Sequence, residues 1–202
     1  MLLLDSVVRT LPFAPHAVLM PCNRGVLLAA DGRSIQSIGA MLQEAERCLQ
    51  EAWPMSSVMC KRGENGWVEV DPPQEHARLA HGLAIRHLAE NYSAQKEALD
   101  AWHASRSDDV YVAEFTVIRV DEQWQSYCVW TQGVHSYLPM ADWVALLPEG
   151  ESSQHIRVPW PQVVAICGDR LVATTDNPPR FQVDSFPDDT EWLALKEHAL
   201  GD

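Results

Sequence analysis

Cys22 lies in the stretch "PCNRG", two residues before Arg24, and a thiol beside a guanidinium is an arrangement that favours the thiolate nucleophile. Such chemistry also needs a base within hydrogen-bond reach, which His16, His135 or His155 could supply only through the fold. The competing reading is an incidental turn cysteine, since no family-specific sequence surrounds it. Glu114, in "VYVAEFTVIRV" (110–120), is the second candidate. A carboxylate buried unpaired on an apolar strand face has a raised pKa, which is how some general acids are made. On a half-exposed face Glu114 simply meets solvent or an arginine.

Three histidines, His76, His81 and His87, crowd "EHARLAHGLAIRH", yet their spacings of five, six and eleven residues include no i, i+3 or i, i+4 pair. On a helix His76 and His87 share an azimuth but stand ~16 Å apart along the axis, so a metal site is not expected. His81 falls with Ala77, Ala84, Ile85 and Leu88 and reads as a packed histidine. "RGENG" (62–66) lacks the lysine and the strand-to-helix context of a phosphate-binding loop and reads as a turn. Neither a nucleophile elbow, a zinc-protease motif nor a dinucleotide fingerprint occurs, and no cofactor is expected.

"WQSYCVW" (124–130) alternates Trp124, Ser126, Cys128 and Trp130 on one strand face, which could stack a ligand or pack a core. Hairpin register decides, because a one-residue slip moves every side chain to the other face. A four-residue loop from Val120 to Gln123 sets Arg119 opposite Trp124 and groups the tryptophans with Tyr111, Ala113, Phe115 and Val117 as core. A three-residue loop, Asp121 to Gln123, would place them with Glu114, Thr116 and Ile118 on a mixed face fit for a ligand, but needs Gln123 in the left-handed region. The first register is expected.

In "DNPPRFQVDSFPDDTEW" (176–192), Phe186 and Trp192 lie among Asp184, Asp188, Asp189 and Glu191. Acidic residues around aromatics can dock on a basic, apolar groove, and Asp184, Phe186, Asp188, Asp189 and Glu191 are the candidate partner-binding residues. The alternative is local: Asp188 or Asp189 caps the last helix while Phe186 and Trp192 pack inward.

Charge agrees with a protein partner rather than a nucleic acid. The chain has 202 residues and a net charge of −13; residues 140–202 hold 11 acids and 4 bases, against 17 and 11 in residues 1–139. Without a basic run, direct nucleic-acid binding is not expected. Five cysteines with no C-x-x-C pair fit reduced thiols, and twelve arginines against three lysines fit a GC-rich, bacterial coding bias. The start "MLLLDSVVRTLPF" lacks the basic residues and cleavage site of a signal peptide, no apolar run reaches membrane-spanning length, and a cytoplasmic location is expected.

The elements that must position these residues read as follows. Two short strands flank "PCNRG", with Asn23 and Gly25 suited to positive φ. Ser34 caps a helix whose stripe is Ile35, Ile38, Met41, Leu42, Ala45, Leu49 and Trp53, and Pro54 lies beyond its end. A second hairpin turns at Gly-Glu-Asn-Gly. Helical composition from about Gln74 divides at Asn91 and Ser93 into two helices. After "SRSDD" (105–109) come strands at 110–120, 123–131, "DWVALL", "HIRV", "VVAIC" and "LVATT", although "PQVVAIC" also suits a helical turn, and a helix from about Asp189 to Leu200.

The expected fold is α+β, an antiparallel sheet mainly from residues 110–175 packed against helices from the N-terminal half. Residues 1–202 read as one compact domain, with possible subdomains 1–105 and 106–202. The function expected is that of a non-catalytic acidic adaptor, regulator or inhibitor binding a protein partner with a basic surface. The alternative is a small-molecule enzyme using Cys22 as nucleophile or Glu114 as acid/base.

Overall fold

The computed structural model describes residues 5–150 and 155–201, so the opening leucines 2–4 lie outside the described residues. The chain divides into two compact units, Met1–His87 and Leu88–Asp202. The class is α+β. Among the described residues no helix is long and apolar enough to cross a membrane.

In the first unit a single-turn helix α1 (Asp5–Val8) precedes strands β1 (Ala17–Asn23) and β2 (Val26–Asp31), helix α2 (Ile35–Cys48), and strands β3 (Cys60–Gly63) and β4 (Gly66–Glu69). The sheet order is β2-β1-β3-β4, antiparallel throughout. Strand β1 is buried on both faces because each has its own cover. Val18, Met20 and Cys22 meet the buried stripe of α2, while Ala17 and Leu19 meet Leu11, Phe13 and Trp67. Ser34 caps α2 by accepting from the Ser37 N–H. The predicted stripe holds at Ile38, Met41, Leu42 and Ala45 but not at its ends, where Ile35 and Trp53 are exposed. The helix stops at Cys48, and Trp53 sits beyond it with φ 66°.

The turns differ from expectation in detail. Between β1 and β2 only Arg24 and Gly25 form the turn, so Cys22 belongs to the strand. Neither Asn23 nor Gly25 has positive φ; Asn23 works through its side chain, whose Oδ1 accepts from the Gly25 N–H at 2.9 Å.

Helix α3 (Ala77–Arg106) runs unbroken for 30 residues from a 3₁₀ turn at Gln74–His76, and the boundary between the units falls within it. The expected break at Asn91 and Ser93 does not occur. Both side chains face solvent, where they leave the backbone helical, and Tyr92 between them is 2% exposed, a tertiary anchor stronger than the weak local preference of its neighbours.

The second unit adds β5 (Tyr111–Val112), β6 (Thr116–Val120), β7 (Gln123–Thr131), β8 (Ser136–Pro139), β9 (Trp143–Leu147), β10 (Ile156–Pro159), helix α4 (Trp160–Cys167), β11 (Val172–Ala173), β12 (Arg180–Val183) and helix α5 (Asp189–Glu197). They form two sheets, β10-β9-β7-β6 and β11-β12-β8-β5, rather than one, and each contains a parallel pair, β7 with β9 and β5 with β8. Both sheets, α4 and α5 contribute to a core around Cys128, Trp130, Leu138, Val144, Val163 and Leu195. The helices within this cluster are α4 and α5; α3 also packs on β8, with His103 edge to face on Tyr137, while α2 serves its own sheet in the first unit. "VVAIC" is helical, with Pro161 in the first turn where a missing N–H costs nothing.

The segment 110–120 is not one strand. Residues 113–115 carry the chain from one sheet to the other, so Tyr111 is exposed instead of sharing the tryptophan face. The β6–β7 register is the one expected, with Arg119 opposite Trp124. Its loop is shorter: Val120 pairs with Gln123, leaving Asp121 (φ 47°) and Glu122 (φ 63°) as a two-residue turn. Two successive left-handed residues match the right-handed twist of the strands, and that match prevails over the residues' own reluctance.

Candidate functional site

Cys22 is fully buried in β1, its Sγ directed at the Ala45 carbonyl 3.9 Å away. Burial first, then the neighbouring Cys48 and Glu44, push its thiol up to about 12. This is the reverse of thiolate activation, and the other four cysteines are buried as well. A thiol reagent such as a disulfide dye is expected to find almost nothing in the native protein within minutes and all five thiols after denaturation. A fast-reacting equivalent in the native state would return Cys22 to consideration.

The histidines stay apart. His76 closes the 3₁₀ turn, where its Nε2 lies 2.9 Å from the Ile35 carbonyl; His81, expected to be packed, is exposed; His87 is half-buried. Among the described residues no three His, Cys, Asp or Glu side chains come together as a metal site requires.

On the tryptophan strand, Ser126, Cys128 and Trp130 are buried and Trp124 is half-buried beneath the Arg119 guanidinium, 5.8 Å from its ring centroid. Asp142 Oδ2 accepts from both the backbone N–H and the hydroxyl of Ser126, at 2.7 and 2.9 Å. The face belongs to the core, so a ligand platform there has no surface.

Glu114 is exposed in the crossover between the sheets. It lines a cleft of about 380 Å³ with Tyr92, Ser93, Lys96, Glu97, Asp100 and Phe115, the last stacked on Tyr92 at 4.8 Å between centroids. Lys96 Nζ is committed to Asp100 at 2.9 Å and to the Val112 carbonyl at 2.8 Å. The cleft therefore gathers three carboxylates around one lysine that already has partners.

Beneath the crossover lies a residue that sequence reading passed over. Arg180 is fully buried, and no carboxylate among the described residues bonds it. Its Nε donates to Gln95 Oε1 at 2.6 Å, and its terminal nitrogens donate to the carbonyls of Ala113, Tyr137 and Tyr92 at 2.8, 3.1 and 3.3 Å. The guanidinium also sits over the Tyr92 ring, 5.1 Å from its centroid. Tyr92 and Gln95 return bonds to the backbone just before it, at Pro179 and Pro178. Arg180 thus ties α3, the crossover, β8 and β12 together through the planar, multi-donor geometry that only arginine offers. Its signal in the sequence was nil, because its acceptors, one glutamine side chain and three backbone carbonyls, are scattered over the chain.

Comparison with protein-family models, curated proteins and solved structures finds no match. The reading of function therefore rests on this chain's own chemistry.

In the acidic C-terminal segment, Asp188 and Glu191 form a capping box at α5: the Asp188 carboxylate accepts from the Thr190 and Glu191 N–H groups, and Glu191 accepts from the Asp188 N–H. Arg170 joins them, donating to Glu191 at 2.7 Å and Asp188 at 3.1 Å. Phe186 packs against Trp130 and Trp192 at the core edge. Asp189 is exposed, and Asp184 lies 2.8 Å from His135 Nε2. Three of the five candidate partner-binding residues thus have structural work, which leaves Asp184 and Asp189 facing solvent.

The bond from the Glu191 N–H, reinforced by Thr190 and Arg170, holds the Asp188 carboxyl below the usual carboxylate range. A folded-state pKa below the unfolded one stabilises at pH above the unfolded value, near ~4, and that contribution fades as pH falls through the folded value. Asp188→Asn keeps the cap but not the charge, so its thermal midpoint is expected to fall less than the parent's on acidification from about pH 5 to about pH 3. Parallel curves would assign the acid sensitivity elsewhere.

Proposed function

We propose that the chain is a non-catalytic interaction protein whose Leu88–Asp202 unit docks a protein partner with a basic surface. The observation that supports this reading is the partition of charge. The segment 88–202 holds 19 acids and 7 bases, a net −12, whereas 1–87 holds 9 and 8, a net −1. Nearly all the excess negative charge thus belongs to one folded unit. Charge of one sign steers a complementary partner and raises its rate of encounter, and that attraction is salt-sensitive. The burial of Cys22 also counts against a cysteine nucleophile, one of the two forms of the enzymatic alternative.

Two exposed acidic groups supply the testable contacts: Asp184 with Asp189, and Glu97 with Asp100 and Glu114. Capture of partners from lysate at low and high salt, followed by the same capture with Asp184→Asn/Asp189→Asn and with Glu97→Gln/Asp100→Asn/Glu114→Gln, is the experiment. A stoichiometric protein that is released by salt and lost with at least one variant is expected. Retention by both variants, or no partner at low salt, would count against the proposal.

One observation favours the second reading, a small-molecule enzyme: Glu114 does border a concave cleft with a cation in it. That reading requires a turnover abolished by Glu114→Gln.

A further inference from the structure

The first unit has a cleft of opposite character. About 560 Å³ in volume, it opens between the start of β1, the β2–α2 turn and the β3–β4 hairpin with the chain that follows it. Four of its residues, His16, Arg33, Lys61 and Arg62, are cations or can become so, and Asp71 is the single carboxylate among its lining residues. Val18, Ile38 and Met59 form an apolar floor, and Pro15, Pro72 and Pro73 stiffen the rim.

The cations are disposed for an outside anion. Lys61 is exposed and makes no ion pair among the described residues. Arg33 is oriented by Asp31, which takes its Nε and Nη2 at 3.0 and 2.9 Å, so that the Nη1 donors remain for another acceptor. The wall beside them is drawn tight by Gly32, whose N–H donates to the His16 carbonyl at 2.8 Å. A Cβ at position 32 would stand 2.8 Å from that carbonyl oxygen and 2.9 Å from Val18 Cγ2, so the close approach requires glycine.

We propose that this cleft binds a small organic anion, a carboxylate or phosphate ester on an apolar body, with the head group at Lys61 and Arg33 and the body on the Val18, Ile38 and Met59 floor. A volume in the range of small-molecule sites, an apolar floor and a cationic wall beside it are what such a ligand requires. The cleft lies within the first unit and owes nothing to the acidic surface of the second, so the two proposals stand or fall separately.

The test is calorimetric titration of the full chain with 1-naphthyl phosphate and 1-naphthoate, beside inorganic phosphate and 1-naphthol as the separated halves. Saturable one-to-one binding of at least one naphthyl anion is expected, with either half at least ~10-fold weaker. Comparison of the two anions identifies the preferred head group. Lys61→Glu should weaken binding by ~10-fold or more and Lys61→Arg should keep it, because a charge-assisted contact is lost in the first and retained in the second. Arg33→Gln serves as the second charge-removing variant, and thermal midpoints confirm that each variant is folded. Absence of saturable binding by both naphthyl anions at millimolar concentration, or affinity unchanged in both folded variants, overturns the assignment.

Discussion

Arg180→Met is expected to lower the unfolding free energy by about 4 kcal/mol, since hydrogen bonds from a charged donor are worth about 1.5–3 kcal/mol each and at least one acceptor is left bare. Methionine nearly matches the length of the arginine stem, so the loss reports the guanidinium rather than a cavity. The acceptors differ in what remains to them. The Tyr137 carbonyl keeps the Ala113 N–H at 3.0 Å, whereas the Ala113 carbonyl has Arg180 as its donor, in a residue with no exposed surface. Arg180→Lys should fall between the two, because an ammonium restores the charge but cannot span Gln95, Ala113, Tyr137 and Tyr92 at once. Urea unfolding followed by tryptophan fluorescence measures all three. A loss below about 1 kcal/mol for Arg180→Met would mean that the carbonyls find other donors and that Arg180 is not the tie.

Trp130→Ala is the second large effect, expected at about 3–5 kcal/mol for the removal of a fully buried indole from a close-packed core. Trp130 is 1% exposed and meets Phe186 edge to face at 6.0 Å between centroids. Its loss should also loosen the seat of Phe186 and the approach to α5, so near-ultraviolet dichroism should change along with the midpoint. Trp124→Ala on the same strand face is the contrast: half-buried beneath Arg119, it should lose appreciably less. Equal losses would contradict the assignment of Trp130 to the core and Trp124 to its margin.

These two residues also mark what could be read in advance. Trp130 was legible because strand alternation and the hairpin register together define a face, and both are local properties of about twenty residues. The cap at Ser34, the α2 stripe and the Asp188 cap were legible for the same reason. The Asp121–Glu122 turn was not, because the twist of the paired strands selected a conformation that its two acids disfavour. The split of 110–120 between two sheets depends on β8, an element some twenty residues further on, and the continuity of α3 depends on an anchor at Tyr92 whose partners lie at Met140 and Pro179. Of the site candidates, Cys22 was displaced from its turn because Pro21 and Cys22 extend the strand, and burial followed. The cationic cleft escaped notice because His16, Arg33 and the Lys61–Arg62 pair lie far apart in the sequence and form no basic run.

The anchoring of α3 has a consequence for the order in which the chain assembles. Strands β1 to β4 and helix α2 all lie before residue 70, so the first sheet can close while later residues are still being made. The Tyr92–Gln95 turn of α3 must instead wait for Pro178, Pro179 and Arg180, more than eighty residues downstream. Until then Phe115 and the Met140 N–H are the earlier partners of Tyr92, which makes residues 88–177 the stretch of a growing chain most dependent on a holdase.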